Sequence, residues 1–385
     1  MAAMDNTEEE VRKHKTYRIA KKRSESKDVT ISQQNDTTQA EDGNTNIEAN
    51  DIEELIPDIE DYLDGALSTE ATNAAIELPP VVKFRKNWSL SVTDLSAQLW
   101  CEKQIELVLI TGRKRVTKEM EKGVERHEQL ELDDHDIVQV EVHTNEDYLG
   151  IKLLNSINLI EQLMETGKCR ELWLFGNFNG YIIRGIIDQL ELIPAGSSGS
   201  KQVLISDTKT RNRKSKPSIS QMQGASLQVQ TYGIMLEKMR SDEEQFDALY
   251  AAFECDKNAP FVSEELTAEG CLATLEKRFR NAFTQLPEVA NIMQLSYEYE
   301  GKVFNTSDIP LQKQSTMYTI QYLCDFWDGY REAQPVRKNE AWKCKMCEFK
   351  DECEVSPLFI PATKKNKADA GQLLLDNFLQ KANTS

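Results

Sequence analysis

Glu171-Leu-Trp-Leu-Phe-Gly-Asn-Phe178, Asn179-Gly180, Tyr181-Ile-Ile-Arg-Gly-Ile-Ile-Asp-Gln-Leu-Glu-Leu-Ile193 is the stretch that decides the fold. Two runs rich in aromatic and β-branched residues flank Asn-Gly, the dipeptide that best tolerates the left-handed backbone of a tight hairpin turn, so a pair of antiparallel strands is predicted. A Gly/Ser loop, Pro194 to Ser200, leads to a third strand over Gln202 to Lys209. A basic segment follows, then a helix from Ser218 to Arg240. Upstream, the spacing predicts a helix over Glu119 to Glu131, a strand over Ile137 to Val142 and a longer helix from Asp147 to Glu165. Ser91, Thr93 and Asp94 are suited to cap a short helix that runs through Leu95, Leu99 and Trp100 to Cys101. Downstream, residues up to Trp327 read as mixed and mainly helical. The class is α/β, with helices around a small mixed sheet.

The chain has 385 residues and is 39% hydrophobic, enough for a real core and too apolar for a wholly disordered protein. Residues 1–79 differ: few aromatics, many Asn, Thr, Ser, Asp and Glu, and no apolar periodicity, the composition of a disordered tail. Residues 1–80 hold 8 Lys and Arg against 19 Asp and Glu, so most of the formal charge of −18 belongs to the tail. The tail also carries a basic cluster, Arg12, Lys13, Lys15, Arg18, Lys21, Lys22, Arg23 and Lys27, which reads as a nuclear import signal, a phosphate-contacting arm or a solvated charge run. No apolar run approaches the ~20 residues of a membrane span. The acidic start Met-Ala-Ala-Met-Asp-Asn-Thr-Glu-Glu-Glu has neither an apolar signal segment nor the composition of an ordinary mitochondrial presequence, so the expected compartment is nucleus or cytoplasm, with the mitochondrion left open.

Asp188 lies in the second strand of the hairpin, and Asp207-Thr208-Lys209 ends the third. Residues two apart in a strand share a face, so Asp207 and Lys209 are presented together and Asp188 can meet them from the neighbouring strand. Two carboxylates suit Mg²⁺, which activates water and neutralises charge on a phosphate under attack; a lysine beside them orients that water or stabilises developing charge. Alone, an Asp-x-Lys triplet is also the pattern of a surface ion pair. The basic run that follows, Arg211, Arg213, Lys214 and Lys216, is placed to track a phosphate backbone into such a site.

Eight cysteines without a secretion signal read as thiols rather than disulfides. Cys169, Cys255, Cys271 and Cys324 are scattered and read as small buried hydrophobes. Cys344, Cys347 and Cys353 form a compact trio that needs a fourth ligand, for which Cys101 is the best candidate. Four thiolates suit either Zn²⁺ or a cubane iron-sulfur cluster.

The ordered series Gly123-x-x-x-His127-x-x-Leu130-Glu131, Gly185-Ile-Ile-Asp188, Asp207-Thr-Lys209-Thr-Arg211, and Gln228 with Tyr232 resembles the RecB-type nucleases of the PD-(D/E)xK superfamily. With Leu95-Ser-Ala-Gln-Leu-Trp-Cys101-Glu102 ahead and the cysteine trio behind, the resemblance narrows to eukaryotic exonuclease V, over about residues 85–357. It implies a restriction-endonuclease-like central mixed sheet flanked by helices, closed by a four-cysteine [4Fe-4S] staple at Cys101, Cys344, Cys347 and Cys353, and single-stranded DNA exonuclease activity in repair or genome maintenance. By the same match Asp188, Asp207 and Lys209 are the catalytic metal ligands and lysine, His127 supplements them, and Gln228 and Tyr232 support the site or contact substrate. Asp207 stands where many relatives have Glu. A structure-specific endonuclease or RNase on the same core, or an idle metal-stapled nucleic-acid-binding module, are the competing readings.

The expected organisation is a disordered tail over 1–79, a nuclease core over 80–335, the cysteine segment over 336–357 and a second tail over 358–385. Within the last, Gln372, Leu375 and Phe378 with Leu379 resemble the motif that docks replication proteins on the sliding clamp, though its second aromatic is missing, and an ordinary amphipathic helix fits as well. The expected partners are single-stranded DNA and, through the tail, a single-strand-binding protein or sliding clamp; the expected state is a monomer.

Overall fold

The computed structural model describes residues 15–21, 78–85, 89–113, 116–134, 136–196, 199–242 and 246–359. The clamp-like segment at Gln372 to Leu379 and most of residues 1–77 lie outside the described residues. Among those described, no helix is long and apolar enough to cross a membrane.

Among the described residues the first element is strand β1 (Lys15–Lys21), and the next are short helix α1 (Pro80–Phe84), β2 (Ser89–Ser91), α2 (Val92–Ser96), α3 (Gln98–Thr111) and α4 (Lys118–Asp134). Then come β3 (Asp136–Val142), α5 (Asn145–Thr166) and the hairpin β4 (Lys168–Phe178) and β5 (Tyr181–Ala195). After β6 (Ser200–Thr210) run α6 (Ile219–Arg240), α7 (Phe246–Ala252) and α8 (Leu272–Thr284). A second hairpin, β7 (Ile292–Tyr299) and β8 (Lys302–Pro310), precedes α9 (Lys313–Trp327) and the single turn α10 (Trp342–Met346). The central sheet is mixed: β2 and β5 are parallel, β5 pairs antiparallel with β4 and β6, β6 runs parallel to β7, and β7 antiparallel to β8. Helices flank it, as the α/β reading expects.

Local chemistry explains the boundaries. Asn179 and Gly180 both adopt positive φ, the geometry that the hairpin turn demands. Helices α2, α5 and α6 each start at a capping box, Ser91 with Asp94, Thr144 with Asp147 and Ser218 with Gln221, which satisfies N–H groups that the first turn leaves open. Along α5 the buried residues Leu149, Leu153, Ile157, Ile160 and Leu163 recur at three- and four-residue spacing and turn one face to the core. Phe279 stacks on Phe283 at 4.3 Å, and both Phe279 and Phe246 meet Phe175 of β4.

One expectation is corrected and one is filled in. Residues 15–21, read as part of a disordered tail, form β1 and pair along their whole length with β3, Lys15 opposite Val142 and Lys21 opposite Asp136. The alternation in Thr-Tyr-Arg-Ile is strand-like but lies inside the basic cluster, and charge dominated its reading; a partner strand over a hundred residues away completes it. Residues 241–327, read as mixed and mainly helical, are so, but the unplaced strands are the β7 and β8 hairpin, whose turn is built on Glu300 and Gly301, both at positive φ, rather than on Asn-Gly or Asp-Gly.

Candidate active site

One edge of β5 has two different neighbours. Its residues 182–184 pair with β2, and its residues 189–195 pair with β6. Between those ladders lies Gly185-Ile-Ile-Asp188. The antiparallel register that sets Gln189 opposite Ser206 would next set Asp188 opposite Asp207, but the ladder stops there, and from Ser206 onward β6 pairs with β7. The strands therefore part at the two carboxylates. The Thr208 N–H donates to the Asp188 carboxylate at 3.0 Å, a side-chain rung in place of the missing backbone one. Lys209, two residues on from Asp207 and on the same face, places its ammonium 3.1 Å from Asp207 Oδ1. Asp188, Asp207 and Lys209 are 4%, 1% and 8% exposed, so charges that normally sit in water are held together inside the protein. Sequence spacing placed these three side by side, and the structure does the same.

Helix α4 crosses the end of these strands. A β-carbon on Gly123 would lie 3.6 Å from Thr210 Oγ1, and Arg126 clasps Glu298 of β7 through two hydrogen bonds of 2.9 and 2.8 Å. His127 is one turn past Gly123 on this helix, with its side chain outside the described residues. Across the sheet, the ring of Tyr232 on α6 lies on the backbone of Gly185: an added β-carbon there would clash with Tyr232 Cε1. Gln228, one turn before it, donates to the Tyr232 hydroxyl at 3.1 Å, and both side chains are buried. Gly185→Ala is accordingly expected to destabilise the protein by about 1–3 kcal/mol through overpacking. Thermal unfolding measures this, and an unchanged Tm would mean that the ring is not seated on the strand.

The basic segment leaves the site directly. The Arg211 N–H donates to the Glu298 carbonyl at 2.7 Å, carrying the β6 and β7 pairing one residue further. Arg211 and Arg213 both reach the Ser215 hydroxyl, at 3.4 and 3.2 Å, and are half-buried; Lys214 and Lys216 are exposed, with the Lys214 ammonium 5.8 Å from the Tyr299 ring. Tyr297, which sequence reading overlooked with its hairpin, stands beside Lys209 in the β6 and β7 register and is fully buried. Burial and, next, the Asp207 carboxylate push its phenol up to about 12, so it stays a hydrogen-bond donor at any working pH. Trp173, Tyr181 and Tyr232 are core residues.

The cysteines form a second constellation. Cys101, Cys344, Cys347 and Cys353 line one pocket with Trp100, Gln104 and Lys343, while Cys169, Cys255, Cys271 and Cys324 lie elsewhere; none is in a disulfide. Cys101 itself breaks α3, with extended φ and ψ of −168° and 110° inside an otherwise helical run. Burial raises the thiols of Cys101, Cys347 and Cys353 above the usual value. Polar clasps draw the same segments together: Arg331 forks Glu102 at 2.5 and 2.6 Å, Gln104 donates to Glu348 at 2.8 Å, and Trp100 packs edge-on against Trp342 at 5.4 Å. Among the described residues, no three His, Cys, Asp or Glu side chains are already arranged to clasp a single metal ion.

Comparison with known proteins defines the class: a nuclease that hydrolyses the phosphodiester bonds of DNA. The family model described as "Exonuclease V - a 5' deoxyribonuclease" matches residues 79–197, 193–273 and 262–355, and the chain belongs to that family. Those ranges include all four pocket cysteines and the Asp188, Asp207, Lys209 group. The curated Exonuclease V of Danio rerio is 28% identical over 295 residues, 71% of this chain and 72% of that protein. The crystal structure of SSO0001 aligns at 14% identity with a TM-score of 0.31, covering 71% of this chain and 88% of its own.

Proposed function

We propose that the protein is a Mg²⁺-dependent exonuclease that degrades single-stranded DNA from its ends in DNA repair or genome maintenance, in the nucleus or the cytoplasm. The observation that carries this reading is the parting of β5 and β6 at Asp188 and Asp207, with the Lys209 ammonium 3.1 Å from the Asp207 carboxylate. The donor set fits: carboxylate oxygens are what Mg²⁺ prefers. When bound, the ion would supply a Lewis acid that eases deprotonation of water and draws charge from the phosphate. Asp188 and Asp207 would hold it. Lys209, already fixed by Asp207, stabilises the negative charge that grows on the phosphate oxygens, and Arg211, Arg213, Lys214 and Lys216 lead the strand in by its backbone. From the family's description comes 5′ polarity.

Cys101, Cys344, Cys347 and Cys353 would hold a [4Fe-4S] cluster, because the four cysteines line one pocket and such a donor set suits it; Zn²⁺ suits the same donors, and metal analysis separates the two. Its contribution would be structural, pinning α3 to the segment behind α9.

The deciding experiment incubates anaerobically purified protein and Mg²⁺ with end-labelled linear and circular single strands of DNA and RNA. Loss of linear DNA from the 5′ end with circles intact is expected; cut circles would identify an endonuclease, and preferred RNA cleavage an RNase. Neutralising Arg211, Arg213 and Lys214 together is expected to weaken single-strand binding and to flatten its salt dependence by roughly 0.7 log units for each phosphate no longer neutralised. Deleting residues 1–79 would also remove β1, so the competing arm is tested by neutralising Arg12, Lys13, Lys22, Arg23 and Lys27. A large loss of binding there, with little in the triple variant, would place the DNA grip on the arm.

A further inference from the structure

Strand register carries the site past Lys209. Lys209 is paired with Tyr297 on β7, and Tyr297 with Asn305 on β8. One step back, Asp207 is paired with Leu295, and Leu295 with Ser307. Paired residues on neighbouring strands share a face, so Asp207, Lys209, Tyr297, Asn305 and Ser307 form one surface two rows deep. Among the described residues the Tyr297 hydroxyl, Asn305 Oδ1 and Ser307 Oγ are all buried with no hydrogen-bond partner. Each such orphan costs about 1–3 kcal/mol, and native proteins keep few of them. Three on one face, beginning next to the lysine, therefore need a common reason.

We propose that Tyr297, backed by Asn305 and Ser307, forms an outer hydrogen-bonding tier of the metal site, with Tyr297 a positioning residue whose hydroxyl orients the Asp207 carboxylate and the water held there. The inference rests on the reading that Asp188 and Asp207 hold the metal. Tyr297 lies behind the carboxylate, not in the strand's path, since it has no exposed surface, while Asn305 and Ser307 behind it are half-buried. Its effect falls on metal affinity and turnover rather than on capture of DNA. Outer partners of this kind change metal affinity or activity by about 10- to 100-fold.

Tyr297→Phe keeps the ring and removes only the hydroxyl. In the full-length protein, titration with Mn²⁺ followed by its electron paramagnetic resonance signal is expected to show affinity reduced about tenfold or more, with kcat lowered and KM for single-stranded DNA unchanged. The thermal midpoint of the metal-free variant is expected to equal or exceed that of the parent, because an unpaired hydroxyl has been removed. A lowered midpoint with unchanged Mn²⁺ affinity makes Tyr297 merely structural and overturns the proposal, as does a variant unchanged in every respect. Asp207→Asn is titrated alongside: if it weakens Mn²⁺ binding and Tyr297→Phe does not, only the outer tier fails. If neither does, the metal-site reading fails with it.

Discussion

Asp188→Asn is expected to remove Mg²⁺-dependent cleavage, by a factor on the order of 10³ or more, while the protein folds and binds single-stranded DNA as before. The factor corresponds to several kcal/mol of charge stabilisation at the phosphate, which the metal supplies only if its carboxylates hold it. Asn is the informative replacement, because its carbonyl still accepts the Thr208 N–H that the carboxylate now takes at 3.0 Å. Loss of one negative charge near phosphate leaves binding equal or tighter. Asp207→Ala is expected to lose cleavage to the same degree but also to destabilise the fold, since it removes the carboxylate that stands 3.1 Å from the buried Lys209 ammonium. Rates and single-strand affinities of the two variants, measured beside their melting curves, separate chemistry from folding. Cleavage near the parent's rate in Asp188→Asn would take that residue out of the site.

Where residues that act together are near in sequence, they were legible. Asn179-Gly180 announced the hairpin, and Asp207 with Lys209 fell on one face by the period of two alone. The capping signal at Ser91 marked a true helix start, and the helix read from Ser218 starts there too. What stayed hidden depends on distant pairing. Neither the pairing of β1 with β3 nor that of β6 with β7 leaves a local trace, since a strand's partner is chosen by the whole fold. Tyr297 in Gln-Leu-Ser-Tyr-Glu-Tyr reads as any strand aromatic; only the parallel register puts it beside Lys209. The gap in β5 was invisible for the same reason, because it arises from two other strands ending on one edge.

Cys101→Ala, and equally Cys344→Ala, Cys347→Ala or Cys353→Ala, is expected to cost the protein its brown colour and most of its folded, soluble yield. The magnitudes decide this. A structural metal bound by four thiolates contributes about 10 kcal/mol or more of binding free energy, comparable to the whole net stability of an ordinary domain. Polar clasps between the same segments, such as Arg331 on Glu102 and Arg113 on Glu352, remain in each variant. The second is exposed and screened by solvent, and the first, though buried, spends most of its attraction on its own desolvation. They therefore align α3 with the cysteine segment without replacing the metal. Cys169→Ala and Cys324→Ala, in the closed core, are expected to cost only about 1 kcal/mol and to keep the colour, as are Cys255→Ala and Cys271→Ala. Visible absorbance, iron, sulfide and zinc content and soluble yield across the eight variants test the division. Full iron in Cys101→Ala would remove it from the ligand set, and stoichiometric zinc without iron in the parent would keep the staple but replace the cluster.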